Sequence, residues 1–276
     1  MKNSLGKLIT ASYRLRGKLA KALHRGPIAP DRRAHELQKE GVLLLKGLLT
    51  PADLQMILAI NRDRFDRAHA QDLLYSPDGV KLVEAASVSD AEFSRYHLLH
   101  IKHYHRKLDV YRLIDPLIHP ILKAYYRSHY YYRDLACYRR QPAAQSHPVS
   151  QGWRRDNFPP GCLKVMVYLT DVTSESSGPL VYARGTHAAF RPELGGAGHR
   201  IPREEVEGKH ELTPCLGPRG TVILYDNNGV HRASQPAAGH GEAINATILP
   251  CIRRTRPRVR GLDLRSEKSF WKKFTR

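Results

Sequence analysis

No apolar run in the 276 residues approaches the ~20 needed to cross a bilayer, so the chain reads as soluble or peripheral. Cysteine is scarce, with Cys137, Cys162, Cys215 and Cys251 scattered and no C-x-x-C pair, which argues against a zinc knuckle. With no signal peptide, reduced thiols in the cytoplasm are the expectation. Acidic residues are also few: 26 Asp and Glu stand against 45 Lys and Arg, a net charge of +19. The length remains ample for one large domain with a proper core.

The charge is unevenly placed. Residues 1–33 hold nine Lys and Arg against Asp31 alone, and residues 253–276 hold ten against Asp263 and Glu267. Each end therefore carries +8, and the 219 residues between carry only +3. The organisation read from this is a basic amphipathic segment (1–33), a nearly neutral domain (34–252) and a basic tail (253–276). Arms of this kind favour an anionic surface. The expected partner is an anionic membrane surface or an acidic glycan, engaged through residues 1–25 and 253–276. That places the chain in the cytoplasm, peripheral on the inner membrane face. Specific nucleic-acid binding is not expected: aromatics in the arms are confined to Tyr13, Phe270, Trp271 and Phe274, and no recognition motif appears.

Along the chain, Leu5, Leu8, Ile9, Ser12, Leu15, Leu19 and Leu23 recur at helical steps and predict an amphipathic helix over 3–24. Periodicity cannot say whether that stripe meets a membrane or the protein's own body. Gly26, Pro27 and Pro30 end it. Val42 to Lys46 reads as a strand, and Thr50-Pro51-Ala52-Asp53 as a capped helix start. Residues 68–105 carry His69, His97, His100, His103 and His105 without a cysteine or carboxylate framework, and read as a solvated stretch. Leu108 to Tyr126 is helical in pattern, interrupted at Pro116 and Pro120. Tyr130 to Cys137 is a strand, and Pro142 to Ser150 a loop.

The central stretch runs Trp153-Arg154-Arg155-Asp156, then the strand Leu163 to Tyr168 followed by Leu169-Thr170-Asp171-Val172, then Gly178-Pro179-Leu180, then Arg184-Gly185-Thr186-His187. Downstream, Gly220 to Asp226 is a strand, and Asn227-Asn228-Gly229 turns before Val230-His231-Arg232. This resembles the phytanoyl-CoA dioxygenase family of non-haem Fe(II)/2-oxoglutarate oxygenases, over roughly residues 40–250. The resemblance implies a mainly β chain with flanking α-helices, folded as a double-stranded β-helix (a cupin-like jelly roll). It also implies Fe(II) and 2-oxoglutarate as cofactors wherever the chemistry survives.

In that family an H-x-D pair and a distal His hold the iron. Residues i and i+2 of an extended segment face the same way, so such a pair offers two ligands to one metal. Here Asp156 matches the carboxylate and His231 the distal His, but the first His is Arg154. A guanidinium has no lone pair to donate and keeps its charge at neutral pH. The simplest expectation is an Arg154–Asp156 ion pair standing where the metal would be. His147 is a weak substitute, its spacing unlike any usual ligand pair. The arginine that grips the cosubstrate carboxylate in the family falls on Ala243, or else on Asn245, and neither can make that bidentate pair. Lys164 is the best remaining anion partner if it faces inward, a point alternation leaves open. The resemblance makes His187 structural and sets Trp153 beside the site. Two functional readings follow. One is a binding or scaffolding module that has lost the iron and needs no cofactor. The other is an active oxygenase on a small or glycan-like substrate, with a two-ligand Asp156/His231 site.

Overall fold

The computed structural model describes residues 2–66, 73–75, 82–84, 98–101, 107–140, 152–156, 161–188, 200–234 and 236–252. The expected His147 alternative, His69, His97, His103, His105 and the tail from 253 lie outside these residues. Helices α1 (Lys2–Leu23) and α2 (Arg32–Glu40) precede strand β1 (Val42–Leu45), and α3 (Pro51–Asp66) follows it. Next come β2 (Leu73–Tyr75), β3 (Leu82–Glu84), β4 (Leu98–Ile101), α4 (Lys107–Tyr126) and β5 (His129–Arg140). The remaining strands are β6 (Trp153–Arg154), β7 (Leu163–Tyr168), β8 (Leu180–Ala183), β9 (Arg200–Ile201), β10 (Leu212–Pro214), β11 (Val222–Asp226), β12 (His231–Ala233) and β13 (Gly241–Cys251).

Two antiparallel sheets form the body. The larger has the order β1-β11-β7-β13-β5-β4-β2-β3, and the smaller β10-β8-β12-β6-β9. The non-sequential order, with β7 between β11 and β13, is the crossed connectivity of a jelly roll.

The larger sheet is apolar on both faces because it is the middle layer. Leu163, Val165 and Val167 of β7, Val222 and Leu224 of β11, and Ile244, Ala246 and Ile248 of β13 pack outward against helices. The helical partners include Leu37 of α2, Ile57 of α3, and Ile114, Ile118, Ile121 and Leu122 of α4. The alternate residues Tyr168, Ile223, Tyr225 and Ala243 face the smaller sheet, where they meet Leu180 and Tyr182 of β8. A third cluster, Trp153, Val181, Ala183, Val206 and Val230, covers the far face of the smaller sheet.

Local chemistry sets the ends of these elements. Asp31 caps α2 by accepting from the Arg33 backbone N–H at 2.8 Å, and Gly41 closes the helix in the left-handed region at φ 77°. Thr50 and Asp53 make a reciprocal capping box, with Asp53 N–H to Thr50 Oγ1 at 3.1 Å and Thr50 N–H to Asp53 Oδ2 at 3.2 Å.

One expectation is overturned: α4 is unbroken, with Pro116 and Pro120 inside it. Both prolines are exposed, so the ladder bonds their rings displace lie on the solvent side. The packed face through Val110, Ile114, Ile118 and Ile121 then holds the helix together. Helix α1, whose buried surface periodicity left open, docks by a side other than Leu15, Leu19 and Leu23. It packs against β13 through Ala20, and Pro250 Cγ lies 4.0 Å from where a β-carbon on Gly17 would stand. Beyond its last turn His24 Nε2 lies 3.0 Å from Lys123 Nζ of α4. Leu15, Leu19 and Leu23 point away, 58%, 41% and 56% exposed.

Candidate functional site

Strand register brings the central residues together. His231 on β12 is the direct Cα partner of Arg154 on β6, so their side chains share one face of the smaller sheet. That face looks across to the larger sheet. Trp153 points the other way into the outer cluster, where its Nε1–H donates to Glu207 at 3.1 Å and Arg232 stacks over its ring. From the larger sheet, β7 alternates Leu163 and Val165 outward with Lys164 and Met166 inward. The Lys164 side chain, 15% exposed, therefore enters the space between the sheets.

Asp156 is the hub. Lys164 Nζ donates to its Oδ2 at 2.7 Å and Arg154 Nε to its Oδ1 at 3.2 Å, while His231 Nε2 lies 3.5 Å from Oδ1. Burial alone would push the Asp156 carboxyl up, but the two cations on it, Lys164 first and then Arg154, hold it well below the usual carboxylate range. His231 is 1% exposed, and burial holds its imidazole below the ordinary histidine value against the pull of Asp156. Its Nδ1 sits 2.9 Å from the Gly229 carbonyl oxygen, a contact that assigns the proton to Nδ1. The Nε2 lone pair is then buried without a hydrogen-bond partner and faces a carboxylate oxygen.

That lone pair and Asp156 Oδ1 are set as two ligands of one ion would be. The rest of the site is not. The third position is a guanidinium, and Arg154 and Lys164 together exceed the single charge of Asp156 by one. Among the described residues, no three His, Cys, Asp or Glu side chains converge as a metal site. The residues present do not fit an iron: its only carboxylate ligand already carries two cations, which would also repel it.

The two positions that the sequence resemblance assigns to the cosubstrate carboxylate are both neutral. Ala243 is a buried methyl in the inter-sheet cluster, opposite Tyr168 and Tyr138. Asn245, on the same face of β13, is buried; its Nδ2–H donates to the Tyr225 hydroxyl at 3.3 Å and its Oδ1 has no hydrogen-bond partner. Neither is a cation. His187 lies apart, its Nε2 3.0 Å from the Gln38 carbonyl oxygen.

Sequence reasoning missed Arg140. This last residue of β5 is the register partner of Gly241, and its guanidinium donates to the carbonyl oxygens of Ser234 and, at 2.8 Å, Gly178. It thus ties the larger sheet to the chain flanking β8 and β12 of the smaller one. Only the β5–β13 register reveals the position, and no local motif marks it. Arg155 is a buried cation, its Nη1 donating to the carbonyls of Thr186 (2.7 Å) and Asn228 (2.6 Å), which fixes the turn before His231.

Solved structures share the fold. The non-heme alpha ketoglutarate dependent carbocyclase SnoK from nogalamycin biosynthesis superposes with TM-score 0.62 at 13% identity, covering 88% of this chain and 94% of that one. The epimerase SnoN from the same biosynthesis gives 0.60 at 17%, covering 79% and 82%. EctD from S. alaskensis, with 2-oxoglutarate and 5-hydroxyectoine, gives 0.59 at 16%, covering 85% and 80%. At these identities the likeness is one of fold, and it agrees with the jelly roll expected from the sequence. No curated protein matches the chain. The family model of phytanoyl-CoA dioxygenase (PhyH) matches residues 37–238, from within α2 through β12, and the chain belongs to that family.

Proposed function

We propose that this family member has given up Fe(II)/2-oxoglutarate chemistry and acts as a binding or scaffolding module held at an anionic surface. The observation that carries the reading is the double ion pair on Asp156. Arg154 and Lys164 supply there the positive charge that an iron would otherwise bring, and Arg154 occupies the third ligand position. The absence of a cation at Ala243 and Asn245 removes the cosubstrate grip on the same face of the same space, so both losses strike one chemistry.

A second reading is an atypical oxygenase with a two-ligand site. It is favoured by one feature, the unpartnered Nε2 of His231 beside Asp156 Oδ1. Metal analysis of the purified chain decides between them. Loaded with Fe(II) under anaerobic conditions and then desalted, it should retain far less than one iron per chain and should not consume 2-oxoglutarate. Stoichiometric iron together with 2-oxoglutarate turnover would reverse the assignment.

A further inference from the structure

The outward leucines of α1 are not explained by the pocket. At about 100° per residue, Leu15, Leu19 and Leu23 span an arc of about 80°. Ala20 and Gly17 lie on the side that meets β13, the exposed Arg16 stands between that side and the leucine arc, and Lys18, Arg14 and Lys21 follow beyond the arc's other edge. The helix thus presents a leucine arc with basic residues on both of its sides, and a docked face behind. Its docked face fixes the arc and its basic flanks relative to the body.

Pro250 lies against Gly17 of α1, β13 ends at Cys251, and the +8 segment starts at Arg253. The Pro250 contact lies on the docked side of α1 and leaves the leucine arc facing away from β13. An apolar arc edged by lysine and arginine is the composition of a helix that lies in a bilayer interface. Anionic headgroups would answer the charge and acyl chains the leucines. An acidic glycan would use the charge but leave the leucines in water.

We infer that α1 is an interfacial anchor: Leu15, Leu19 and Leu23 enter the headgroup–acyl boundary of an anionic bilayer, and the flanking Arg14, Arg16, Lys18 and Lys21 hold its lipids. The inference sharpens the anionic-surface part of the proposed function and rests on it. It is independent of the pocket, whose failure would show in metal content and leave vesicle binding untouched.

The test is co-sedimentation of the full chain with phosphatidylglycerol-rich vesicles and with pure phosphatidylcholine vesicles. The wild type should pellet with the anionic vesicles, lose most of that binding when salt is raised about tenfold, and stay in solution with the neutral ones. The variant Leu15→Ser/Leu19→Ser/Leu23→Ser, altered only at exposed positions, should unfold at the wild-type temperature and bind anionic vesicles at least about tenfold more weakly. Equal pelleting of wild type and variant would overturn the anchor, as would no wild-type pelleting at all. Sedimentation equilibrium adds a further outcome against it, a wild-type dimer that the variant loses, which would give the leucine arc to a second copy. Retention on an acidic polysaccharide that the variant keeps, with no vesicle binding by the wild type, would likewise assign the surface to a glycan.

Discussion

Lys164 Nζ stands 2.7 Å from Asp156 Oδ2, and this ion pair crosses from β7 of the larger sheet to the segment following β6 of the smaller one. With Arg154 on the other oxygen, the side chains of the trio are only 24%, 17% and 15% exposed for Arg154, Asp156 and Lys164. Removing the shared acceptor leaves two cations facing each other with little water to screen them. Asp156→Asn should therefore destabilise the chain by about 3 kcal/mol, the low end for breaking a buried pair. Replacing Lys164 by Met alone should cost less, because Arg154 still answers the carboxylate. Urea unfolding of both variants checks this, and equal losses would refute the hub role of Asp156.

The pH dependence has a definite sign. His231 titrates below its ordinary value in the folded chain because it is buried. Its contribution is therefore complete above the unfolded value of about 6.5 and shrinks as pH falls from there toward the depressed folded value. Asp156 is depressed as well, so its contribution is present above about 3.9 and is lost as pH falls through its native value. The urea midpoint should be level just above pH ~6.5, decline below it, and decline again in stronger acid. His231→Gln should flatten the upper decline and leave the lower. Parallel curves for wild type and variant through the upper window would contradict the assignment of a buried neutral imidazole.

Gly229 is a close-approach glycine. A β-carbon there would stand 1.8 Å from the Tyr182 hydroxyl oxygen and 2.3 Å from Cζ. Tyr182 has no room to yield: it is fully buried, donates to the Asp226 carbonyl at 3.0 Å and stacks on His231 with rings 8° from parallel. Gly229→Ala should cost about 1–3 kcal/mol, the range for overpacking a filled core. It should also disturb the carbonyl that orients His231. A loss under about 0.5 kcal/mol, as for an ordinary surface change, would show that the turn gives way freely.

Much of this was open to sequence reading, for physical reasons that can be named. The β7 and β11 strands, the turn before His231 and the capping box at Thr50 are local chemistry, and short motifs report them faithfully. The direction of Lys164 was not readable, because β7 is buried on both faces and apolar residues at alternate positions mark neither as inner. Arg140 depends on a β5–β13 register set by residues a hundred positions apart. The two prolines of α4 mislead because local propensity cannot weigh a packed face against two displaced ladder bonds. For α1 the leucine stripe was legible, but the short residues Ala20 and Gly17, which carry little hydrophobic signal, proved to be the docked side.

Arg154 is the residue on which the functional assignment turns, and it can be tested by reversal. Its Cα faces that of His231 across β6 and β12, and its side chain already reaches Asp156 Oδ1. An imidazole at this position would bring a third donor to the side where the His231 lone pair lies unpartnered, and would remove one of the two cations on Asp156. Arg154→His should therefore bind Co(II) or Fe(II) at about one per chain where the wild type binds almost none, followed by the visible absorption of Co(II) and by calorimetry. Metal should raise the unfolding temperature of the variant alone, since a ligand bound only by the native state stabilises it. Turnover of 2-oxoglutarate should remain absent, because Ala243 and Asn245 still offer no cation to its carboxylate. If the variant stays as indifferent to metal as the parent, the guanidinium is not what keeps the ion out, and the loss must lie elsewhere in the space between the sheets.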